Sequence, residues 1–301
     1  MAGSPDRLIQ YIEEKRRVIE AALEEYLPEP TEHPALIHES MRYSVFAWGK
    51  RLRPVLTLAA TEAVGGDVKD ALPVAAAVEF VHTYSLVHDD LPCMDDDDYR
   101  RGRPTCHKVY GEAMAVLVGD ALLTQAFLLL SDGEEIAGLL PARRVALIRE
   151  LAAAAGSQGM VGGQVVDIQS TDQPVDLATL LNLHSRKTGA LIRACLRVGG
   201  IVAGASEGVM EILTLYGERV GLAFQIVDDI LDLTGKTEEL GKTAGKDSSQ
   251  RKATYPAQVG LEDSRRDVRR LIAEAHTALR PLGEQAWALR GLADYIASRR
   301  S

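Results

Sequence analysis

Two clusters of acidic residues adjoin strongly apolar, helix-like sequence. The first lies in Val87–Asp98, which reads VHDDLPCMDDDD, and the second lies in Phe224–Asp232, which reads FQIVDDILD. Carboxylates next to an apolar core are costly to bury unless a cation joins them. The chain must therefore fold so that each cluster reaches a place where positive charge is available.

Helical periodicity runs through nearly the whole chain. Apolar residues make up 46% of the 301 residues and aromatic residues only 5%, and alanine and leucine, which dominate, lose little rotamer freedom in helices. No segment shows the sustained period-two alternation of a strand. The predicted helices are a first one that starts at Ser4-Pro5 and ends before Pro28, then Pro34–Val64, Asp70–Asp89, Glu112–Leu130, Ala142–Met160, Leu177–Ala203, Glu207–Leu233, Pro256–Arg280 and Gly283–Arg299. We expect one all-α domain, residues 1–301, with a bundle-like core.

Charge and cysteine content narrow the possible partners and compartment. The net charge of −9 argues against nucleic acid or an anionic membrane as the main partner. The N-terminus lacks the apolar segment of a signal peptide, and three cysteines without paired spacing favour a reduced, cytoplasmic setting. The most apolar long segment, Ala113–Ser131, is interrupted by Gly119, Asp120 and Gln125, so it predicts a buried helix rather than a membrane span.

The first acidic cluster has the pattern of a metal site at the end of a helix. His82, Ser85 and Asp89 share one helical stripe that points toward the acids. Pro92 disfavours helical geometry in the residue before it, so the chain should bend and bring Asp95 back toward Asp89. Hard oxygen ligands without a neighbouring cysteine and histidine set suit Mg²⁺.

The second acidic cluster lies within a helical segment. Gln225, Asp228 and Asp232 are spaced three and four residues apart and form a polar stripe among apolar neighbours. Buried carboxylates in this position would require a cation. A helix end with solvated acids remains the alternative interpretation of this cluster.

Basic residues stand beside the first cluster and recur later in the chain. Arginine next to metal-binding carboxylates suits a phosphorylated substrate, because its guanidinium fits phosphate oxygens in pairs. We expect Asp96–Asp98 to be solvated or bonded to these arginines. Gly235–Thr243 approximates a Walker A loop, but its glycines are too far apart and it follows a helix. Each further basic residue, taken singly, could be a solvated surface charge: Lys50, Arg51, Arg53, Lys187, Lys242, Lys246 and Lys252.

Six motifs in order make the chain resemble the trans-isoprenyl diphosphate synthases, most closely the bacterial farnesyl diphosphate synthases. The motifs are WGKRLRP, HDDLPCMDDDDYRRGRPTCHK, GMVGGQVVD, HSRKTGAL, FQIVDDILD and GKDSSQRKATYP, and together they cover nearly the whole chain. The departures are small. Ala47 and Trp48 stand where a glycine is common, and Tyr99 replaces a common leucine, so no charged position is affected.

The resemblance implies a large antiparallel helical bundle around a deep central cavity, with the two aspartate motifs facing each other across its mouth. It implies a homodimer, and a prenyltransferase that joins isopentenyl diphosphate to dimethylallyl and then geranyl diphosphate, forming farnesyl diphosphate. Three Mg²⁺ ions, held by both motifs, would drive ionisation of the allylic diphosphate.

The resemblance also assigns roles to individual residues. The first motif corresponds to Asp89, Asp90 and Asp95, and the second to Asp228, Asp229 and Asp232, with Asp89, Asp95 and Asp228 as metal ligands. Arg100, Lys187 and Lys242 would bind the allylic diphosphate, while Lys50, Arg53, His82 and Arg101 would bind isopentenyl diphosphate. Thr188 and Gln225 would stabilise the allylic cation, and Tyr84, with Ser85 beside it, would form the floor that limits chain length.

Other functions are compatible with parts of this pattern. A geranyl or geranylgeranyl diphosphate synthase would differ mainly in the depth of the cavity. A class I terpene cyclase shares the first metal motif but usually carries an Asn/Ser/Glu triad as its second. A non-catalytic prenyltransferase-like subunit would tend to lose aspartates from one motif, whereas both motifs are complete here.

Overall fold

α-Helices form nearly all the regular structure in the described part of the chain. The computed structural model describes residues 5–47, 49–133, 136, 138–171, 173–234 and 253–299. The helices are α1 (Pro5–Tyr26), α2 (Ala35–Val45), α3 (Leu52–Ala63), α4 (Val68–Asp89), α5 (Cys106–Tyr110), α6 (Glu112–Ser131), α7 (Pro141–Ala155), α8 (Met160–Ser170), α9 (Leu177–His184), α10 (Ala190–Ala203), α11 (Glu207–Thr234), α12 (Tyr255–Val259), α13 (Leu261–Ala278) and α14 (Trp287–Ser298). A π-helical turn (Ser185–Gly189) joins α9 to α10, and a 3₁₀ turn (Arg280–Ala286) joins α13 to α14. Two strands of two residues each, β1 (Tyr99–Arg100) and β2 (Arg103–Pro104), pair as an antiparallel hairpin.

The all-α prediction is confirmed, but several predicted helices are divided. Pro34–Val64 forms two helices, because the chain turns at Arg51, whose φ of 50° is left-handed. Arg51 Nη2 donates to the Val45 carbonyl at 2.7 Å, and thereby satisfies a backbone group at the end of α2. The predicted helix Leu177–Ala203 is interrupted by the π-helical turn. Two further predictions, Pro256–Arg280 and Gly283–Arg299, also prove to be two elements each, whereas the predicted helix Ala142–Met160 ends early, at Ala155.

α4 is the central helix of the bundle. It packs against α3 and α6 on opposite sides, and α10 packs against both α3 and α11. Apolar residues surround most of α4, including Ala71, Val74, Val78, Phe80 and Val87, all of which are buried. A helix that is apolar all round is buried rather than amphipathic. The interior position of α4 therefore carries its C-terminal acids to the inside of the bundle.

α6 is buried on one face only. Val118, Leu122 and Ala126 are fully buried in a helix that packs mainly against α4, so the prediction of a buried helix holds for this face. Leu117 and Leu128 on the opposite face are 54% and 60% exposed. Within the described residues, α6 is the one helix long and apolar enough to cross a membrane by length and composition, and its inner face packs against α4.

A buried ion-pair network joins three helices near the turn before α3. Arg51 Nη1 lies 2.7 Å from Glu79 Oε1 of α4, and Arg51 Nε lies 2.8 Å from Glu20 Oε1 of α1. The side chains of Arg51 and Glu79 are 1% and 3% exposed, whereas that of Glu20 is 34% exposed. Loss of the buried partner leaves an uncompensated charge inside the protein.

We expect Glu79→Ala to lower the free energy of unfolding by about 3 kcal/mol, because Arg51 loses its buried counter-charge. Glu20→Ala is the matched control and should lower it by about 1 kcal/mol or less, since water can replace a partly exposed carboxylate. Urea unfolding followed by circular dichroism measures both values. Equal losses in the two variants would contradict a special role for the buried pair.

Candidate active site

A cavity of about 490 Å³ opens at the C-terminal end of α4. Helix α4 and the loop after it form one wall, α8 and the π-helical turn form another, and Asp228 of α11 also reaches the cavity. The predicted site residues that line the cavity are Arg53, His82, Tyr84, Ser85, Asp89, Asp95, Arg100, Lys187, Thr188 and Asp228. Both acidic motifs therefore meet at one cavity. Lys50, Asp90, Arg101 and Gln225 are not among the lining residues, and Lys242 lies outside the described residues.

The first motif folds as the sequence predicts. Helix α4 ends at Asp89, and the backbone N–H of Asp95 donates to the Asp89 carbonyl at 2.8 Å, so the chain returns on itself after Pro92. Burial raises the pKa of Asp89 to about 6, and this rise is opposed by Lys187 and supported by Asp95. Ionisation of Asp89 is therefore unfavourable, and an additional positive charge nearby would favour it.

Asp90, unlike Asp89, binds an arginine and does not line the cavity. It is 4% exposed, and its two oxygens accept from Arg100 Nε at 2.7 and 3.0 Å, with a further short contact to Arg100 Nη2. Arg100 also lies 3.5 Å from Asp97. Asp90 thus fixes the guanidinium of Arg100 at the cavity wall.

Lys187 and Thr188 are presented by the π-helical turn. Such a turn holds one residue more than an α-helical turn, which changes the direction of the side chains that follow. Lys187 Nζ donates to Asp167 Oδ2 of α8 at 2.6 Å. Gly163 of α8 lies so close to the Lys187 backbone that a Cβ at position 163 would overlap it. The absent side chain lets α8 approach the turn and bring Asp167 to Lys187.

The three aspartates of the second motif differ in where their side chains lie. Asp228 lines the cavity, whereas Asp229 and Asp232 are 4% and 7% exposed. Asp229 accepts from Gln225 Nε2 at 3.0 Å, and Gln225 Oε1 accepts from Thr188 Oγ1 at 2.8 Å. The sequence grouped Gln225 with Asp228 and Asp232 on one stripe, but Gln225 in fact bonds to Asp229.

Arg299 is a residue of the site that no sequence motif predicts. Its Nη2 lies 2.8 Å from Asp228 Oδ1, and its guanidinium stacks 3.9 Å from the centre of the Phe224 ring. Burial lowers the pKa of Lys50, Arg299 and Arg101 lower it further, and Asp228 opposes this, so Lys50 belongs to the same group of charges. A run of arginines near the C-terminus was the available signal, but nothing local connects it to residue 228.

Arg53 and His82 form a basic pair on the cavity wall. Arg53 Nη1 lies 3.2 Å from His82 Nε2. Burial and the neighbouring arginines, Arg53 first, hold the pKa of His82 well below its usual value. The imidazole is therefore neutral, and its Nε2 accepts the hydrogen bond from Arg53.

Tyr84 closes part of the apolar side of the cavity. The residue is 6% exposed, and its ring meets that of His88 edge to face, with centroids 5.8 Å apart. His88 in turn lies against Gly119 of α6, where a Cβ would overlap its ring. Ser85 donates its hydroxyl to the His82 carbonyl at 2.8 Å.

The donor chemistry of the cavity fits a divalent cation of the Mg²⁺ type. Asp89, Asp95 and Asp228 offer only oxygen ligands, which hard cations prefer. A cation would also relieve the unfavourable ionisation of Asp89. Asp232 Oδ1 is buried without a hydrogen-bond partner among the described residues, which is a second sign that positive charge is needed.

A second acidic group lies outside the cavity. Ligand atoms of Asp96, Asp98 and His107 lie within 4.8 Å of one another, but Asp96 and Asp98 are exposed. Asp98 is 2.9 Å from Lys108, and Asp97 pairs with Arg100. The prediction that Asp96–Asp98 are solvated or bonded to the arginines is confirmed for Asp97 by its contact with Arg100 and for Asp96 by its exposure, whereas Asp98 pairs with a lysine.

A helical bundle whose cavity combines two sets of carboxylates with basic side chains is suited to an enzyme that acts on diphosphates. The chain belongs to the polyprenyl synthetase family, because the sequence model of that family matches residues 34–285. It is a prenyltransferase of this family, which uses isoprenoid diphosphates and a divalent metal.

The similar proteins carry names with different products. The farnesyl diphosphate synthase of Bacillus subtilis (strain 168) is 44% identical over 296 residues, covering 98% of this chain and 99% of that protein. The chloroplastic geranylgeranyl pyrophosphate synthase 7 of Arabidopsis thaliana is 51% identical over 272 residues, covering 89% of this chain and 78% of that protein. The apo crystal structure of an FPP/GFPP synthase from Zymomonas mobilis superposes with a TM-score of 0.87 at 39% identity, covering 98% of this chain and 100% of that one.

The raised pKa of Asp89 predicts a pH-dependent metal affinity. Below about pH 6 the carboxyl of the metal-free protein holds a proton, and a cation must displace it. The affinity for Mg²⁺ should therefore fall as the pH drops through 6, by up to about tenfold per unit. Titration calorimetry with Mg²⁺ alone, in two buffers of different ionisation enthalpy, measures the affinity and the proton released.

Asp89→Asn should remove the proton release near pH 6, since an amide does not titrate. Asp98→Asn, in the exposed acidic run, is the control and should leave the release unchanged. Proton release that persists in the Asp89→Asn variant would assign the titration to another group.

Proposed function

We propose that the protein is a farnesyl diphosphate synthase, which condenses isopentenyl diphosphate with dimethylallyl and then geranyl diphosphate. The observation that carries the proposal is one cavity lined by Asp89, Asp95 and Asp228, with Tyr84 on its apolar side. The family and the relatives support the reaction. The described helices share one continuous core from Tyr11 to Ile296, which supports a single domain over residues 1–301.

The carboxylates would hold Mg²⁺, with three ions per site by resemblance to the family. Asp89, Asp95 and Asp228 are the proposed ligands. When bound, Mg²⁺ stabilises the negative charge of the departing diphosphate. Lys187 and Arg100 face the same space, and each charge pair at about 4 Å contributes on the order of 4 kcal/mol at an effective dielectric of 20. Lys242, outside the described residues, is proposed for the same role.

The basic pair on the other side suits a second diphosphate that needs no metal. Arg53, hydrogen-bonded to neutral His82, is proposed to bind isopentenyl diphosphate, together with Lys50 and Arg101. Both Lys50 and Arg101 have lowered pKa values, mainly from burial and then from neighbouring charges that include other cations. Such crowded cations favour an anionic ligand.

The chain's residues are arranged for a cationic reaction. The bond between the allylic carbon and the diphosphate oxygen breaks, and its electron pair leaves with the diphosphate. The double bond of isopentenyl diphosphate attacks the allylic cation, and a proton is then lost to the released diphosphate. Thr188, backed by Gln225, offers oxygen lone pairs to the developing positive charge.

A terpene cyclase is less well supported, because it would need no second basic pocket for isopentenyl diphosphate. A non-catalytic subunit is disfavoured by two complete aspartate motifs. Geranylgeranyl diphosphate synthase is the closer alternative, since several of the similar proteins carry that name. The depth of the apolar end, and therefore Tyr84, decides between the two products.

Incubation with dimethylallyl diphosphate, isopentenyl diphosphate and Mg²⁺ should give mainly the fifteen-carbon product. Tyr84 stands five residues before Asp89, about 7.5 Å deeper along the helix, where its ring would block a longer chain. Another isoprene unit would gain about 4 kcal/mol from burial of its carbons, so Tyr84→Ala should shift the product to twenty carbons or more. Chromatography of the dephosphorylated products measures the distribution.

Tyr84→Phe is the matched control, because it keeps the ring and should keep the fifteen-carbon product. An unchanged product from Tyr84→Ala would place the floor elsewhere. A wild-type protein that makes mainly the twenty-carbon product would instead favour the geranylgeranyl alternative.

We also propose that the protein is a soluble, cytoplasmic homodimer that uses the outer face of α6. The exposed side chains there, Ala113, Val116, Leu117, Asp120, Thr124 and Leu128, follow helical spacing, and four of the six are apolar. An apolar stripe of this kind is characteristic of an interface between protein chains. The homodimer implied by the family resemblance supports a second copy as its occupant.

Introducing charge on this face should separate the dimer. The double variant Leu117→Glu with Leu128→Glu would place two carboxylates in an apolar contact, where their burial is unfavourable. Sedimentation equilibrium should show a dimer for the wild type and a monomer for this variant. Val145→Glu, at a 65% exposed position on α7, is the control and should remain dimeric. A dimeric double variant would exclude this face.

A further inference from the structure

Asp229 is a buried junction between three elements of the fold. Its Oδ1 accepts from Gln225 Nε2 at 3.0 Å, and its Oδ2 accepts from the Tyr255 backbone N–H at 2.8 Å. His184 Nε2 lies 3.5 Å from the same Oδ2. Asp229 is 4% exposed, so its carboxylate is directed into the protein while that of Asp228 reaches the cavity.

The carboxylate determines which way the Gln225 amide points. An ionised carboxylate only accepts hydrogen bonds, so the Gln225 atom that faces it must be the NH₂ group. The carbonyl oxygen of Gln225 must then face the opposite way, toward Thr188, 2.8 Å distant. This orientation follows from chemistry and not from the assignment of amide atoms.

The same logic continues to the cavity. A carbonyl oxygen only accepts, so the Thr188 hydroxyl must donate its proton to Gln225. What Thr188 can then offer to the cavity it lines is oxygen lone pairs. The negative ends of two successive dipoles, those of Gln225 and Thr188, are therefore directed from the charged Asp229 toward the cavity, which is the orientation that stabilises a developing cation.

We propose that Asp229 is a positioning residue for the reaction, which orients Thr188 through Gln225 so that the cavity meets an acceptor and not a donor. The inference rests on the proposed function, since it concerns the cation formed there. In this scheme Asp229 acts through its neighbours, and Asp228 is the member of the pair that faces the metals.

The rest of the junction keeps the carboxylate in place. The N–H of Tyr255 belongs to the start of α12, and His184 closes α9, so the carboxylate is held from two further directions. Burial lowers the pKa of His184 to about 4, and a neutral ring can still donate Nε2–H toward Asp229. Three elements thus fix the acceptor that orients the Gln225 amide.

Asp229→Asn is the decisive variant, because it keeps the shape and replaces one acceptor by a donor. If the new carbonyl retains the bond to Tyr255, the new NH₂ group faces Gln225, and the Gln225 amide must turn round. Thr188 would then accept from Gln225 and direct its proton into the cavity, against the cation. We expect kcat to fall by about tenfold to a hundredfold, with KM for both substrates changed less than about threefold.

Metal affinity distinguishes positioning from ligation. Mg²⁺ is titrated calorimetrically in the presence of inorganic diphosphate, without turnover. Asp229→Asn should change the Mg²⁺ affinity less than about threefold, whereas Asp228→Asn, the neighbouring isosteric change, should weaken it at least about tenfold. Equal weakening in both variants would make Asp229 a metal ligand and overturn the proposal.

A double-mutant cycle tests whether the effect passes through Thr188. In a Thr188→Val background the hydroxyl is gone, so Asp229→Asn should lower kcat by less than about threefold further. A full additional loss in that background would overturn the proposal. If Asp229→Asn does not fold, Gln225→Met removes both the donor to Asp229 and the acceptor for Thr188, and it must lower kcat with Mg²⁺ affinity changed less than about threefold. A wild-type protein that forms no product would refute the proposed function itself, whereas these comparisons refute only the positioning role.

Discussion

Mutual repulsion between carboxylates around one interior cavity is the constraint on which the rest of the structure depends. Asp89, Asp95 and Asp228 come from segments far apart in the chain, yet all three line the same space. Burial raises the pKa of Asp89 to about 6, and the like charge of Asp95 adds to this rise. Basic side chains between the acids, among them Arg100, Lys187 and Arg299, reduce this repulsion in the folded protein.

Two basic residues at the cavity, Arg100 and Lys187, are each held by an acid that is not among the proposed metal ligands. Asp90 holds Arg100, and Asp167 holds Lys187. These pairs keep two cations at the wall in defined positions, so little reorganisation is required when an anionic substrate arrives. Asp228 differs, because its counter-ion Arg299 lies on the segment that follows α14, and Arg299 must share Asp228 with any metal ligated there.

The sequence was informative wherever the physics is local. The apolar run of α4, the spacing of acids in α11 and the bend after Pro92 follow from neighbouring residues, and the structure agrees. The turn at Arg51 between α2 and α3 and the π-helical turn could not be predicted, because each is stabilised by contacts with other helices. Arg299 and Asp228 are separated by 71 residues, and the inward direction of Asp229 depends on Tyr255, so helical spacing alone could not reveal either contact.

The apolar end of the cavity shows why a rigid floor needs support from a second helix. A ring that limits product length by exclusion must resist the burial energy of another isoprene unit, and a side chain free to change rotamer would yield. Tyr84 is backed by His88, which bonds through Nε2 to the Val116 carbonyl at 3.0 Å and fills the space that Gly119 leaves. Helix α6 thus supports the proposed floor on its inner side, while its outer side carries the apolar stripe proposed for the second copy. A dimer contact that immobilises α6 from outside would therefore also restrict the movement of His88 and Tyr84. Close-packed side chains transmit displacement from one helix to the next.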